Sequence, residues 1–210
     1  MIGSGRRWPL VVALLWAISG CAAGPKPPGP PSLRPLPQQP PTHQIVGNAI
    51  VASLGGAGVT LGWLGEGATE HYFISRPGLV SPWPKEVWKD APPTVFLLRI
   101  RNTSREEVQF DPGTASLTNQ EGNRQRPIPY EEFYMRLAEQ PDAQERLRSL
   151  QSALLTRFVV LTPGGQRDGL LVFPGTEPPS KFLLLEIGSF FVGGRSTPGL
   201  FSFQVTFPEK

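Results

Sequence analysis

The sequence predicts a mainly β protein, a β-sandwich carrying a short inserted helical segment, and three observations lead there. The 210 residues include 23 Gly and 25 Pro, about twice the ordinary share of roughly 12%. Neither residue is tolerated well inside helices, so a coiled coil or helical bundle is excluded. Apolar residues recur with a period of two: Val59, Leu61 and Trp63, then Phe96, Leu98 and Ile100, then Phe201, Phe203, Val205 and Phe207. Between such runs stand turn signals, among them Asp111-Pro112-Gly113 and Glu121-Gly122-Asn123. Many short alternating strands separated by Gly/Pro turns are the pattern of two packed antiparallel sheets.

Taken in order, residues 1–21 read as a secretory signal. Arg6 and Arg7 supply the charged start, and residues 8–18 (WPLVVALLWAI) form an apolar stretch of 11 residues. A membrane-spanning helix needs about 20. Residues 24–41 hold nine Pro in 18 positions. Proline fixes φ and removes a donor, so residues 22–41 are expected to form a semi-rigid spacer of roughly 50–60 Å. A sandwich domain is expected over residues 42–210.

Within that domain, residues 45–65 carry no charge but contain six Gly. They read as two strands joined by a turn at residues 54–58, in preference to a transmembrane helix. Residues 70–75 (EHYFIS) form a short strand candidate, and residues 94–102 (TVFLLRIRN) a central one. Val108 and Phe110, then Ser116-Leu117-Thr118, continue the strands. Residues 158–161, 170–173 and 182–187 read as buried strands. Residues 130–155 break the rhythm: Phe133, Leu137, Leu147, Leu150 and Leu154 stand at helical spacings. Two helices are expected, over residues 130–139 and 141–152, with Pro141 opening the second. Their apolar faces are expected to cap an open end of the sandwich.

Two resemblances add to this reading. Ile18-Ser19-Gly20-Cys21 resembles the lipobox of bacterial lipoproteins. That resemblance implies a thioether-linked lipid on Cys21, cleavage before it and acylation of the new amino group. The anchor would hold the chain on a membrane, since each buried CH₂ contributes about 0.8 kcal/mol. Ala22 follows, where sorting rules would need Asp for retention. In a host with two membranes this implies the periplasmic face of the outer membrane. The second resemblance rests on Leu98-x-Ile100-x-Asn102-Thr103-Ser104, Val108-x-Phe110, Leu117-x-x-x-Glu121-Gly122, Leu161-Thr162-Pro163-Gly164 and Gly169-Leu170-Leu171-Val172-Phe173. Their order is similar to that of the telokin-like, immunoglobulin-like domains of secreted bacterial lipoproteins. It implies an immunoglobulin-like sandwich with a binding or structural role and no catalytic residues. The helical insert at 130–155 departs from that pattern.

The reactive inventory is thin. The single Cys and two His exclude a disulfide framework and a Cys-rich zinc site. His43 ends the Pro-rich segment, and His71 follows Glu70 without a Gly-x-Ser-x-Gly elbow. Glu66, Glu70, Asp111 and Glu121 are scattered and lack calcium-loop spacing. Gly55-Gly56-Ala57-Gly58 lacks the dinucleotide-binding spacing and reads as a turn. Asn102-Thr103-Ser104 matches a glycosylation sequon but reads as a turn. The positive balance behind the formal charge of +3 comes from Arg6, Arg7, Lys26 and Arg34 in the first 41 residues; residues 42–210 carry 16 basic and 17 acidic residues, which removes the case for nucleic acid. Trp83 and Trp88, in Ser81-Pro82-Trp83-Pro84-Lys85-Glu86-Val87-Trp88, could form an aromatic binding edge; packing against the sandwich rim is the reading the composition favours.

The expectation is a lipid-anchored, non-enzymatic envelope protein that binds other envelope proteins and needs no cofactor or metal. The alternative is a glycan or small-ligand binding module that uses Trp83, Trp88 and the Gly-rich loops.

Overall fold

The structure is a computed structural model that describes residues 29–38, 43–84, 86–88 and 92–208. Cys21, the signal segment and the first part of the Pro-rich segment lie outside the described residues. The fold is a two-sheet antiparallel β-sandwich with an inserted helical segment.

The strands are β1 (Ser32–Pro35), β2 (Gln44–Val46), β3 (Ala49–Leu54), β4 (Ala57–Leu64), β5 (Thr94–Asn102), β6 (Val108–Phe110), β7 (Ser116–Asn119), β8 (Arg124–Gln125), β9 (Val159–Leu161), β10 (Gln166–Phe173), β11 (Phe182–Val192) and β12 (Arg195–Thr206). One sheet runs β1-β12-β11-β6-β9, with β7 and β8 continuing from the first half of β11. The other runs β10-β5-β4-β3-β2. The facing side chains make one core: Ile50, Val59, Leu61, Phe96, Leu98 and Ile100 from one sheet meet Phe110, Leu185, Phe190, Phe201 and Phe203 from the other. Phe110 and Phe190 stack with ring centroids 4.7 Å apart. The expected hairpin at 54–58 is present, turning on Gly55 and Gly56, whose positive φ a side chain would resist. No helix among the described residues is long and apolar enough to cross a membrane.

One strand serves two neighbours by changing register. β11 pairs with β7 through residues 183–186 and with β6 through residues 190–192. A register shift between Glu186 and Ser189 separates the two, and Gly188 occupies it at φ 85°. A Cβ there would stand 2.2 Å from the Thr114 hydroxyl. The bulge re-aims the strand at a position only glycine fits.

Three expectations are corrected. Residues 70–75 are not a strand; residues 70–74 belong to helix α1 (Glu66–Ile74) and Ser75 is its C-cap. Its buried residues Thr69, Tyr72 and Phe73 have spacings of three and four, and the adjacent buried pair could not share one face of a strand. Thr69 also ties the helix back through its hydroxyl, which donates to the Leu64 carbonyl at 3.0 Å.

The second correction concerns the spacer. Within residues 29–38, Ser32–Pro35 form β1, antiparallel to β12. Leu33 is 2% exposed, inside the main core. The Gln38 amide extends the pairing: its oxygen accepts from Ser202 N–H and its nitrogen donates to Ser202 C=O, both at 2.9 Å. Proline is compatible with this because β1 is an edge strand, where a missing donor costs no ladder bond. This stretch therefore covers the β12 edge and does not stand off the domain.

The third correction concerns the helices, α2 (Tyr130–Leu137) and α3 (Ala143–Ala153). They exist close to where expected, but they do not cap an end. Phe133, Leu137, Leu147 and Leu150 join Tyr72 and Phe73 of α1 and Val95, Leu170 and Val172 of the second sheet. The three helices thus help build a second core on the outer face of β5 and β10. Leu170, Leu171, Val172 and Phe173 are each at most 1% exposed, the mark of a strand buried on both faces.

His43 is 8% exposed and packs on Phe201 with ring centroids 5.5 Å apart. Its Nδ1 is buried without a hydrogen-bond partner among the described residues. Burial lowers its pKa below the ordinary 6.5, so the folded state prefers the neutral ring. The unfolded chain then takes up a proton first on acidification. The stabilising contribution is complete above about pH 6.5 and is lost as pH falls from there through the lowered folded value. The thermal midpoint of the wild-type protein is expected to fall more than that of His43→Gln between about pH 7.5 and about pH 5. Parallel thermal melts check this; equal falls would refute it.

Candidate functional site

A groove of about 1070 Å³ opens on the surface. It lies where the two sheets end side by side, with β9 at the edge of one and β10 at the edge of the other. The β10 side is closed by irregular chain. Ile128 N–H donates to Val172 C=O at 2.7 Å, and Leu155 N–H donates to Leu170 C=O at 3.0 Å. β9 has β6 on one side and, among the described residues, no strand on the other. Its register places Val159 and Leu161 inward, 8% and 7% exposed, while Phe158 and Val160 are 56% and 49% exposed. Residues 158–161 were expected to be a buried strand; they form instead a half-buried edge, because no layer covers the groove side.

Arg126, Arg157 and Arg167 line this groove, together with the single carboxylate Glu131. All three arginines are exposed, and none makes an ion pair or side-chain hydrogen bond with a described residue. Arg124 is matched with Glu186 at 3.0 Å, Arg136 with Glu132, and Arg146 with Asp142 at 2.6 Å; Arg99, Arg101, Arg105, Arg148 and Arg195, like the groove arginines, make no ion pair with a described residue. The Arg146 guanidinium beside Asp142 holds that carboxyl below its usual range. The groove is thus a local excess of unmatched positive charge on a nearly neutral domain.

The Asn102-Thr103-Ser104 turn anchors one end of β9. The Asn102 side chain is the buried centre: its amide donates to Leu161 C=O at 2.9 Å and to Glu106 C=O at 2.7 Å. Its oxygen accepts from Ser104 N–H at 2.9 Å and from the Ser104 hydroxyl at 2.7 Å. One side chain therefore fixes the turn and pins the groove strand to β5.

Trp83 and Trp88 do not form an exposed binding edge. Trp88 is 8% exposed and Trp83 is half-buried. Their rings meet edge to face at 5.8 Å, and both contact Phe133, at 5.7 and 6.1 Å. The Arg136 guanidinium lies 4.6 Å over the Trp88 ring. α3 holds their loop: Val80 N–H donates to the Ser149 hydroxyl at 3.0 Å, and Arg146 donates to Ser81 C=O. Trp83 lines, with Trp63, a cavity of about 140 Å³, below the 300–1,000 Å³ of ordinary small-molecule pockets. The Gly55–Gly56 turn stands at the other end of β4, about 20 Å from Trp63 by strand rise. The two tryptophans of the alternative reading meet each other, but the Gly-rich turn is not brought to them.

The remaining candidates stay apart. His71 is exposed on α1, with no side-chain hydrogen bond or ion pair to a described residue. Asp111 is spent on a turn, accepting from Gly113 N–H at 2.9 Å. No group of three His, Cys, Asp or Glu that could hold a metal occurs among the described residues. Burial raises the Tyr72 phenol pKa, opposed by Arg76, whose guanidinium covers the ring at 3.6 Å.

Two antiparallel sheets, a helical layer over one of them and an arginine-lined groove define a β-sandwich of the two-sheet class. No family model and no curated protein matches the sequence. Among solved structures, the chain is similar to the yjhA protein from Bacillus subtilis at 11% identity, covering 66% of this chain and 76% of that one with a TM-score of 0.36. It is also similar to Northeast Structural Genomics Consortium target SoR45 at 8% identity, covering 71% of this chain and 83% of that one with a TM-score of 0.30. The fold assignment rests on the strand pairing itself.

Proposed function

We propose that the chain is a lipid-anchored protein of the cell envelope with a non-catalytic role, binding another envelope protein through the groove beside β9. The carrying observation is the groove itself, which combines three unmatched arginines, an open strand edge and the exposed side chains of Phe158 and Val160. Such a surface provides charge for steering and apolar area for contact. The lipobox resemblance at Cys21 supports the anchor, on the periplasmic face of the outer membrane where the host has two membranes. Nearly balanced charge in the domain argues against nucleic acid.

Crosslinking in intact envelopes tests the reading, with wild type, Arg126→Glu/Arg157→Glu and Cys21→Ser compared. A reproducible crosslinked partner is expected for wild type, reduced about tenfold or more in the double variant. Cys21→Ser is expected to lose palmitate labelling and leave the membrane fraction. Recovery of the same partner by wild type and double variant overturns the groove assignment, and so does recovery of none. Unchanged labelling of Cys21→Ser overturns the anchor.

A further inference from the structure

Resting on the groove's assignment as a protein-binding surface, we propose that its occupant is an extended acidic segment of the partner, lying along β9 with its carboxylates against Arg126, Arg157 and Arg167. Three features converge on that chemistry. The arginines lack partners among the described residues and face one lining carboxylate, Glu131; a guanidinium takes a carboxylate through paired hydrogen bonds. The groove has one open strand edge, since the β10 side is satisfied by Ile128 and Leu155. A strand edge supplies backbone donors and acceptors to an added strand.

Phe158 and Val160 complete the pattern. They stand two residues apart and exposed, while Val159 and Leu161 between and after them point into the core. An added segment that alternates acidic and apolar residues would set its apolar side chains on this pair. A phosphate ligand would match the arginines but would leave the strand edge and the apolar pair unused, so the peptide accounts for more of the surface. The same sheet already closes its opposite edge in this way, with Ser32–Pro35 added to β12.

The test uses the full-length protein in detergent micelles and a fluorescein-labelled decapeptide of alternating Glu and Val. Comparison probes are the Lys/Val counterpart, the Glu/Val peptide with alternate amides N-methylated, and inorganic pyrophosphate as competitor. Saturable anisotropy is expected for the Glu/Val peptide, with the Lys/Val and N-methylated forms weaker by about tenfold or more. Arg126→Glu/Arg157→Glu is expected to lose binding by a similar factor with an unchanged thermal midpoint. The milder Arg157→Gln gives a smaller loss of the same sign. Hydrogen exchange at residues 159–161 is expected to slow when the peptide is bound.

No saturation at millimolar peptide overturns the proposal, as does equal binding of the Lys/Val or N-methylated peptide. Displacement by pyrophosphate with no effect of N-methylation assigns the groove to a phosphate ligand and equally overturns it. Failure here, with the envelope crosslink still lost in the double variant, leaves the protein-binding reading standing and removes only the acidic strand.

Discussion

Phe96→Ala is expected to destabilise the domain by about 3–5 kcal/mol, the largest effect of any single truncation considered. Phe96 is fully buried in β5, with its ring 6.1 Å from Phe173 in the same sheet and 5.1 Å from Phe203 in the opposite one. It therefore joins the two sheets at the centre of the main core. Removing the ring forfeits transfer free energy and leaves a cavity whose walls belong to two hydrogen-bonded sheets, which collapse poorly onto it. For a domain of this size the thermal midpoint is expected to drop on the order of 10 °C. Urea unfolding measures the change, and Phe158→Ala on the exposed rim of the groove serves as control, expected within about 0.5 kcal/mol. Comparable losses at the two positions would contradict the placement of the core.

Asn102→Ala is expected to cost about 2–4 kcal/mol, out of proportion to the few atoms removed. The Asn102 side chain is 1% exposed and joins Leu161, Glu106 and Ser104. Alanine removes the bonds to the buried Leu161 carbonyl and to Ser104 N–H, while the Glu106 carbonyl keeps the Ser104 hydroxyl at 2.8 Å; each unsatisfied group costs about 1–3 kcal/mol, partly offset by water entering near the turn. Asn102→Asp is expected to be at least as damaging at neutral pH. A carboxylate can still accept from Ser104 but cannot donate to the carbonyls of Leu161 and Glu106. Because the lost bond to Leu161 frees the end of β9, exchange at residues 159–161 is expected to accelerate before global unfolding. Hydrogen exchange read by mass spectrometry checks this; uniform acceleration over all strands would count against a local role.

Much of the sandwich was legible in sequence because burial on one face leaves a period of two. Phe96, Leu98 and Ile100 against Arg99 and Arg101 marked β5 with its observed bounds, and Phe201, Phe203 and Val205 marked the second half of β12, which begins at Arg195. The helical insert was equally legible, since Phe133, Leu137, Leu147 and Leu150 keep helical spacing. α1 was missed because Glu70-His71-Tyr72-Phe73-Ile74 looks like a strand when read alone. Its helical signal, Thr69, Tyr72 and Phe73 at three and four residues, needed the preceding Glu66 to Thr69 turn to be recognised.

The groove was not legible. Its arginines come from three separate segments, and Arg126, Arg157 and Arg167 look in sequence like ordinary solvated charges. Phe158 and Val160 looked buried because alternation reports which residues share a face, never which face is covered. Likewise Ser32-Leu33-Arg34-Pro35 looked like spacer: its proline content correctly forbids an interior strand but is compatible with an edge.

What the sequence by itself determined is the class of fold, the position of the turns and the identity of the residues able to fill a core. These follow from local physics: backbone restriction at Gly and Pro, and the pitch at which apolar side chains repeat. Only the tertiary structure decided that the helices cover the outer face of one sheet, that Trp88 is buried while Phe158 is exposed, and that residues 32–38 close the β12 edge. Those outcomes depend on which surfaces meet. Burial is a property of the pair of elements in contact, and hydrogen bonds such as Asn102 to Leu161 join residues 59 positions apart. No local pattern carries that information, so the arginine-lined groove becomes visible only when β9 and β10 are placed side by side.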